Sequence, residues 1–187
     1  KILHALSNIE SNGLEYFGYY NRLDYSLLSD YKLYNPSIEL ARGCGRGCAY
    51  CADGNKTKSS VKDANSVIDE LHFVEQTYDY EDFNIYFQMA TFQVEDRWIE
   101  LYRRRMCEFD KIFYWRCTSR IDALDLKSIP KLGQIGMRVL DLGLESASHR
   151  QLKLMKKTTN PKDYLQKAEE ILHVAYESGI WVKLNVL

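Results

Sequence analysis

The sequence predicts an α/β fold, a partial (β/α) TIM-like barrel of parallel strands that is truncated after about five of them. Three observations predict it. From residue 36 onward, short and nearly continuous apolar runs alternate with amphipathic stretches, the pattern of strand-helix-strand units feeding a buried parallel sheet. The alternation repeats four times, giving five strands and four intervening helical stretches. Finally, 187 residues fall short of the about 250 that a complete eight-fold barrel takes. An open parallel sheet is the other architecture this pattern allows, and in both the ligands sit beyond the carboxyl ends of the strands.

Residues 1–35 are rich in Tyr, Leu and Asn and follow no regular period, so they read as an N-terminal extension or linker ahead of a core domain at 36–187. The first strand is expected at Ser37–Ala41. Val67, Leu71, Val74 and Tyr78 then share one helical face. Phe83–Gln88 reads as the second strand, followed by a helix whose stripe is Trp98, Leu101, Tyr102 and Met106. The third and fourth strands are expected at Ile112–Thr118 and Met137–Leu144. The last helix has the clearest stripe, made of Tyr164, Ala168, Ile171, Leu172 and Ala175. Asn160 is its expected N-cap, Pro161 its first residue and Gly179 its left-handed exit. Trp181–Leu187 reads as the fifth strand. A first residue other than Met and an ending inside an apolar run mark the chain as a fragment whose core domain is incomplete at its C-terminus.

Composition narrows the function classes. With 45% hydrophobic and 27% charged residues, the chain can bury one sizeable core. A net charge of -1 supplies no general attraction to phosphate backbones or anionic lipid, so nucleic acid is not indicated. No apolar run approaches the about 20 residues that span a bilayer, and Lys1 to Asn12 lacks the apolar middle of a secretory leader. The expected location is cytoplasmic, with no membrane partner. Of five cysteines, an odd number, three fall within eight residues, which is a metal or redox pattern and not a disulfide framework.

Those three lie in Arg42 to Cys51, RGCGRGCAYC, directly after the first strand, where a parallel sheet places its ligands. Three soft thiolates on one loop can bind three irons of a cubane cluster and leave the fourth open to a substrate or cofactor. Gly43, Gly45 and Gly47 allow the positive-φ turns that such a loop needs. Structural zinc is one alternative, but it takes four ligands, and after His4 no His occurs before His72 and no further Cys before Cys107. A ferredoxin-like carrier is another, and it would supply a fourth cysteine. The reading that competes with an enzyme is therefore a noncatalytic iron-sulfur electron-transfer or structural zinc module.

The spacing C-x-x-x-C-x-aromatic-C, with Tyr50 at the aromatic position, resembles the signature of the radical S-adenosylmethionine (SAM) superfamily. Downstream segments resemble the subgroup that includes cobalamin-dependent radical SAM enzymes and methylthiotransferases: SIELARGC before the cluster, Gly143-Leu144-Glu145-Ser146-Ala147-Ser148 after the fourth strand, QLKLMKKTTN beyond it, and Trp115 to Arg120 at the end of the third strand. The resemblance implies a [4Fe-4S] cluster on Cys44, Cys48 and Cys51. SAM would bind the open iron and be cleaved reductively to a 5′-deoxyadenosyl radical that abstracts hydrogen from a substrate. It further implies Tyr50 near the adenine, Glu145 and Ser146 at the ribose, Lys157 at the SAM carboxylate and Arg120 at SAM or substrate. Where the subgroup carries acidic residues near the SAM amino group, this chain has Gln88-Met89-Ala90-Thr91, which makes Gln88 or Thr91 the acceptor. An electron donor such as flavodoxin or ferredoxin and a cobalamin domain outside this chain are also implied. The substrate is not, and methyl transfer, methylthiolation, cyclisation and rearrangement all fit. Cys117 is expected to be a buried strand residue and Cys107 a packing residue on a helix face.

Overall fold

The computed structural model describes residues 23–52, 57–58, 60–78 and 83–187. Five parallel strands form one sheet in sequence order: β1 (Ser37–Glu39), β2 (Phe83–Gln88), β3 (Phe113–Arg120), β4 (Met137–Glu145) and β5 (Trp181–Val186). An order without reversal is that of a barrel wall, since a doubly wound sheet turns back at a switch point. Right-handed crossovers in that order place every helix on one side of the sheet.

The strands alternate accordingly. Ile85, Phe87, Phe113, Trp115, Cys117, Leu140 and Leu142 are buried on the outer face, under the helices. Trp115 packs against Phe87 and Phe92 with ring centroids 4.8 and 5.4 Å apart, and its indole N–H donates to Ile135 O at 2.9 Å. Register puts Tyr86, Arg116 and Val139 on the inner face, followed one level up by Gln88, Thr118, Asp141 and Lys183.

The helices form for local reasons. In α1 (Ala64–Thr77) Asp63 caps the N-terminus by accepting from the amides of Asn65 and Ser66, and Val67, Ile68, Leu71 and Val74 make the buried stripe. Helix α2 (Asp96–Arg105) buries Ile99 and Tyr102 and ends on three arginines, which suit the negative end of the helix dipole. The short α3 (Ser128–Gln134) precedes β4. Between β4 and β5 the chain makes two helices, α4 (His149–Leu154), capped by Ser148, and α5 (Pro161–Glu177), capped by Asn160 with Pro161 at its start; Gly179 follows at φ 69°.

Three expectations change. β1 is shorter than Ser37–Ala41, while β3 runs on to Arg120 because Ser119 and Arg120, although polar, find partners. Cys107 is exposed in a 3₁₀ turn (Met106–Glu108) and packs against no core, whereas Cys117 is fully buried as expected. β5 is largely exposed: Trp181 on the inner face is 80% exposed, and Val182 on the outer face packs only partly against the core. Of the N-terminal extension, residues 1–22 lie outside the described residues. The remainder is not a free linker, because Tyr25 is buried in the core, edge-on to Tyr78 at 5.3 Å.

Candidate functional site

The cysteine loop leaves the carboxyl end of β1 and is shaped by glycine. Gly43, Gly45 and Gly47 hold φ of 70°, 71° and 67°, a conformation that costs other residues roughly 1–2 kcal/mol each. The three thiols have different surroundings. Cys44 is half-buried with its Sγ 3.1 Å from Thr91 Oγ1. Cys48 is buried, and its Sγ accepts from Arg120 Nη1 at 2.9 Å. Cys51 is exposed, its amide donating to Cys48 O at 3.1 Å. One tie crosses the molecule: the Ala49 amide donates to Met155 O at 2.8 Å, fixing the loop to the turn after α4.

Beyond the loop, at the end of β4, lies a buried ion pair. Lys157 Nζ donates to Glu145 Oε1 at 2.9 Å and to the Tyr50 hydroxyl at 3.3 Å. Glu145 holds φ 66°, a strained backbone for a residue other than glycine that costs about 1–3 kcal/mol. The β4–β5 register shifts between Gly143 and Glu145, so the strand bulges where this carboxylate turns in. Gly143 makes room for the pair, since a Cβ there would stand 2.7 Å from Glu145 Oε1 and 2.8 Å from Lys157 Nζ. Its carbonyl is held by the Tyr164 hydroxyl at 2.6 Å. Burial, followed by the neighbouring Glu145 and Cys48, pushes the Tyr50 phenol well above the usual tyrosine range, so it stays protonated and can donate.

Arg120 joins the two halves. Besides Cys48, it donates to Lys157 O at 2.6 Å and grips Asp122 with two hydrogen bonds of 2.8 and 2.9 Å. Burial works against its charge, but the hydrogen bond and charge of Asp122 outweigh that and raise its pKa. Reciprocally, burial opposes ionisation of Asp122, yet Arg120 and then Arg46 hold its carboxyl below the ordinary range. Lys58 stands near by; burial and Arg46 lower its pKa, with Cys44 acting in the opposite sense.

The structure thus gathers Cys48, Tyr50, Arg120, Glu145 and Lys157. Two of the other sequence candidates, Ser146 and Gln88, stay apart from this group. The Ser146 hydroxyl accepts from the Ser148 amide at 3.1 Å and shapes the lead into α4, and Gln88 is exposed on the inner face, accepting from Ser37 Oγ at 3.4 Å. Gln88 instead lines a cavity of about 450 Å³ that extends from Gly43 past Tyr86 to Thr118. Thr91, which lies against Cys44, is buried. Sequence reasoning missed Asp122, gave Gly143 no role of its own within the motif and read Tyr164 only as a packing residue. The signals were an acidic residue two places after Arg120 and a glycine two places before Glu145, spacings that only the folded geometry makes meaningful.

Among the described residues, no three His, Cys, Asp or Glu side chains converge as donors to a single metal ion. A mononuclear zinc site asks for such convergence. A cube presents its irons at separate corners, so it asks each thiolate for a place of its own, and three cysteines spread around a glycine-bent loop fit that demand.

The radical SAM superfamily model matches residues 38–187, and the chain belongs to that superfamily. Among solved structures, the cobalamin-dependent SAM radical enzyme OxsB with aqua-cobalamin and SAM bound is similar at a TM-score of 0.68 and 17% identity, over 82% of this chain and 24% of that one. The radical SAM methyltransferase TsrM from Kitasatospora setae, with cobalamin and a [4Fe-4S] cluster, gives 0.66 and 17% over 81% and 30%. Methylornithine synthase (PylB) gives 0.54 and 13% over 81% and 44%. These identities show the shared fold alone. The chain spans about a quarter of the length of OxsB. No curated protein matches the sequence, and no described helix is long and apolar enough to cross a membrane.

Proposed function

We propose that this chain is the catalytic core of a radical SAM enzyme, with Cys44, Cys48 and Cys51 holding a [4Fe-4S] cluster and SAM lying between that loop and the end of β4. The observation that carries the reading is the Glu145–Lys157 pair beside the cysteine loop, 3% and 10% exposed at the lysine and the glutamate. Each partner is the complement of one end of SAM. A ribose diol can donate two hydrogen bonds to a carboxylate, and an ammonium binds a carboxylate. In the free chain the two satisfy each other, so the ligand replaces a pairing already made and leaves no buried charge exposed at any stage.

When bound, the reduced cluster and SAM supply a 5′-deoxyadenosyl radical that takes hydrogen from a substrate. The chain's own residues do the rest. The three glycines shape the thiolate loop, Arg120 neutralises charge at Cys48, Tyr50 donates from its protonated phenol, and Gly143 keeps the carboxylate's seat open. Thr91 or Gln88 accepts from the SAM amino group, and Ser146 supports the ribose end through the turn before α4. A flavodoxin or ferredoxin type of donor reduces the cluster. The cobalamin named in OxsB and TsrM supports a cobalamin-containing domain outside residues 1–187, with methyl transfer as the reaction.

Anaerobic reconstitution of the full chain with iron and sulfide tests this. After reduction with dithionite, the expected result is a cubane EPR signal that changes on adding SAM and is abolished by Cys48→Ala, with Glu145→Gln weakening SAM binding by about tenfold. Stoichiometric zinc with no response to SAM would establish the noncatalytic module instead.

A further inference from the structure

The inner face of the sheet carries a charged layer that the cofactor reading leaves unused. Thr118 of β3, Asp141 of β4 and Lys183 of β5 stand in register, with Arg116 one inner-face level below Thr118. A packed barrel fills such levels with branched apolar side chains. Here the central group is a carboxylate whose side chain is only 6% exposed. Arg116 donates to Asp141 Oδ2 through Nη2 at 2.6 Å and Nε at 3.1 Å. Asp141 Oδ1 accepts no hydrogen bond among the described residues, and Lys183 Nζ stands 3.6 Å from it. A buried acceptor without a hydrogen-bond donor is unfavourable, and a ligand that supplies the donor relieves it. The Arg116 guanidinium lies 5.7 Å over the Tyr86 ring, whose hydroxyl is hydrogen-bonded to Thr118 at 3.1 Å. Tyr86 and Thr118 also line the cavity that reaches the cysteine loop, so the layer opens toward the proposed chemistry.

Charge and valence decide what fits. Two cations face one carboxylate: among the described residues Arg116 Nη1 donates no hydrogen bond, and Lys183 Nζ and Asp141 Oδ1 face each other as an ion pair too long for one. A ligand that completes the layer therefore brings an anionic group for the donors and, beside it, a hydrogen-bond donor for Oδ1. An inorganic phosphate dianion meets Oδ1 with like charge and has only one proton to offer. A carboxylate with an ammonium or hydroxyl on the next carbon supplies both. We propose that Arg116, Asp141 and Lys183 form the substrate subsite and that it takes an α-amino or α-hydroxy carboxylate. The assignment rests on the radical SAM reading for where reaction occurs. The Thr118 and Asp141 level lies two residues, about 6.6 Å along the strands, below Arg120 and Gly143, within reach of a substrate anchored here and reacting at the rim.

The test uses the full chain, reconstituted with iron and sulfide and incubated with SAM. Ligand-observed NMR is run with the standard α-amino acids, lactate and malate, with the carboxamide of each, and with inorganic phosphate. At least one acid is expected to bind, its carboxamide about tenfold more weakly. Asp141→Asn and Lys183→Gln should each weaken that acid by about tenfold while SAM affinity stays within about twofold. Binding of amino or of hydroxy acids identifies the donor at Oδ1. Lys183 is 65% exposed, so its variant decides the matter if Asp141→Asn does not fold. No acid binding at millimolar concentration, phosphate or carboxamides binding as well as acids, or variants of unchanged affinity would overturn the proposal. Parallel loss of SAM would overturn it too, by assigning the layer to the cofactor. The cubane EPR signal, read on dithionite-reduced portions of the same samples, separates failure of this subsite from failure of the cluster reading.

Discussion

The two faces of the sheet are built from the same strands by alternation, and they do opposite work. On the outer face Phe87, Trp115, Cys117, Leu140 and Leu142 are sealed under helices. On the inner face Tyr86, Arg116, Thr118, Asp141 and Lys183 present charge and hydroxyl groups at the same heights. A one-residue step along β3 from Trp115 to Arg116 passes from core to ligand surface, and the β3–β4 register shifts at that step. Stability and recognition are thereby separated without separate domains.

The sharpest way to break the contrast is Trp115→Ala, which should cost about 3–5 kcal/mol, against less than about 0.5 kcal/mol for the exposed, inner-face Lys183→Gln. Chemical denaturation checks both, and similar costs would erase the distinction between faces. At the rim, Glu145→Gln leaves Lys157 buried without its counter-ion and should cost about 3 kcal/mol, much of which Lys157→Met in the same chain should restore. Gly143→Ala should mimic the single variant, because its methyl lands on both charged atoms.

Arg120→Gln tests the link between rim and loop. Removing a cationic donor from Cys48 Sγ should make the reconstituted cluster harder to reduce, moving its midpoint potential in a redox titration to more negative values. Asp122→Asn, which leaves the Cys48 contact in place, should move it less. The smallest effect belongs to the outer layer, where Asp63→Ala removes the α1 cap for about 1 kcal/mol. Burial opposes ionisation of Asp63, but hydrogen bonds from Ser66 and Asn65 prevail and lower its pKa. Its contribution is therefore complete above the ordinary carboxylate range and lost as pH falls through the lowered value, so wild type and variant should converge in acid.

Strand number, order of elements and the outer stripes were legible because burial of parallel strands writes itself as continuous apolar runs. Strand ends were less so. β3 continues through Ser119, whose hydroxyl is satisfied by Phe92 O at 2.7 Å, and composition alone reads such a residue as the end of burial. Cys107 was misplaced because a helical period was carried one residue past Met106 into a 3₁₀ turn. In the site, the cysteines and the residues at 145 and 157 were marked by motif, but their mutual pairing was not, since nothing in the spacing says that two groups assigned to opposite ends of one ligand will meet. Arg120 was noticed as a ligand contact, but its hydrogen bonds to Cys48, Asp122 and Lys157 were not legible, since only the fold brings those groups together.

The hydrogen bond from Ala49 to Met155 has a bearing on the chain's own synthesis. Within this stretch the three cysteines are made before their partners: the carbonyl that anchors their loop and the Lys157 that abuts Tyr50 follow more than 100 residues later, with Arg120 arriving between them. Until translation passes α4, the loop lacks the tie at Ala49 and Tyr50 lacks its lysine. A chain interrupted before residue 155 would therefore carry the cysteine loop with its contacts to Thr91 and Arg120 but without the tie at Ala49.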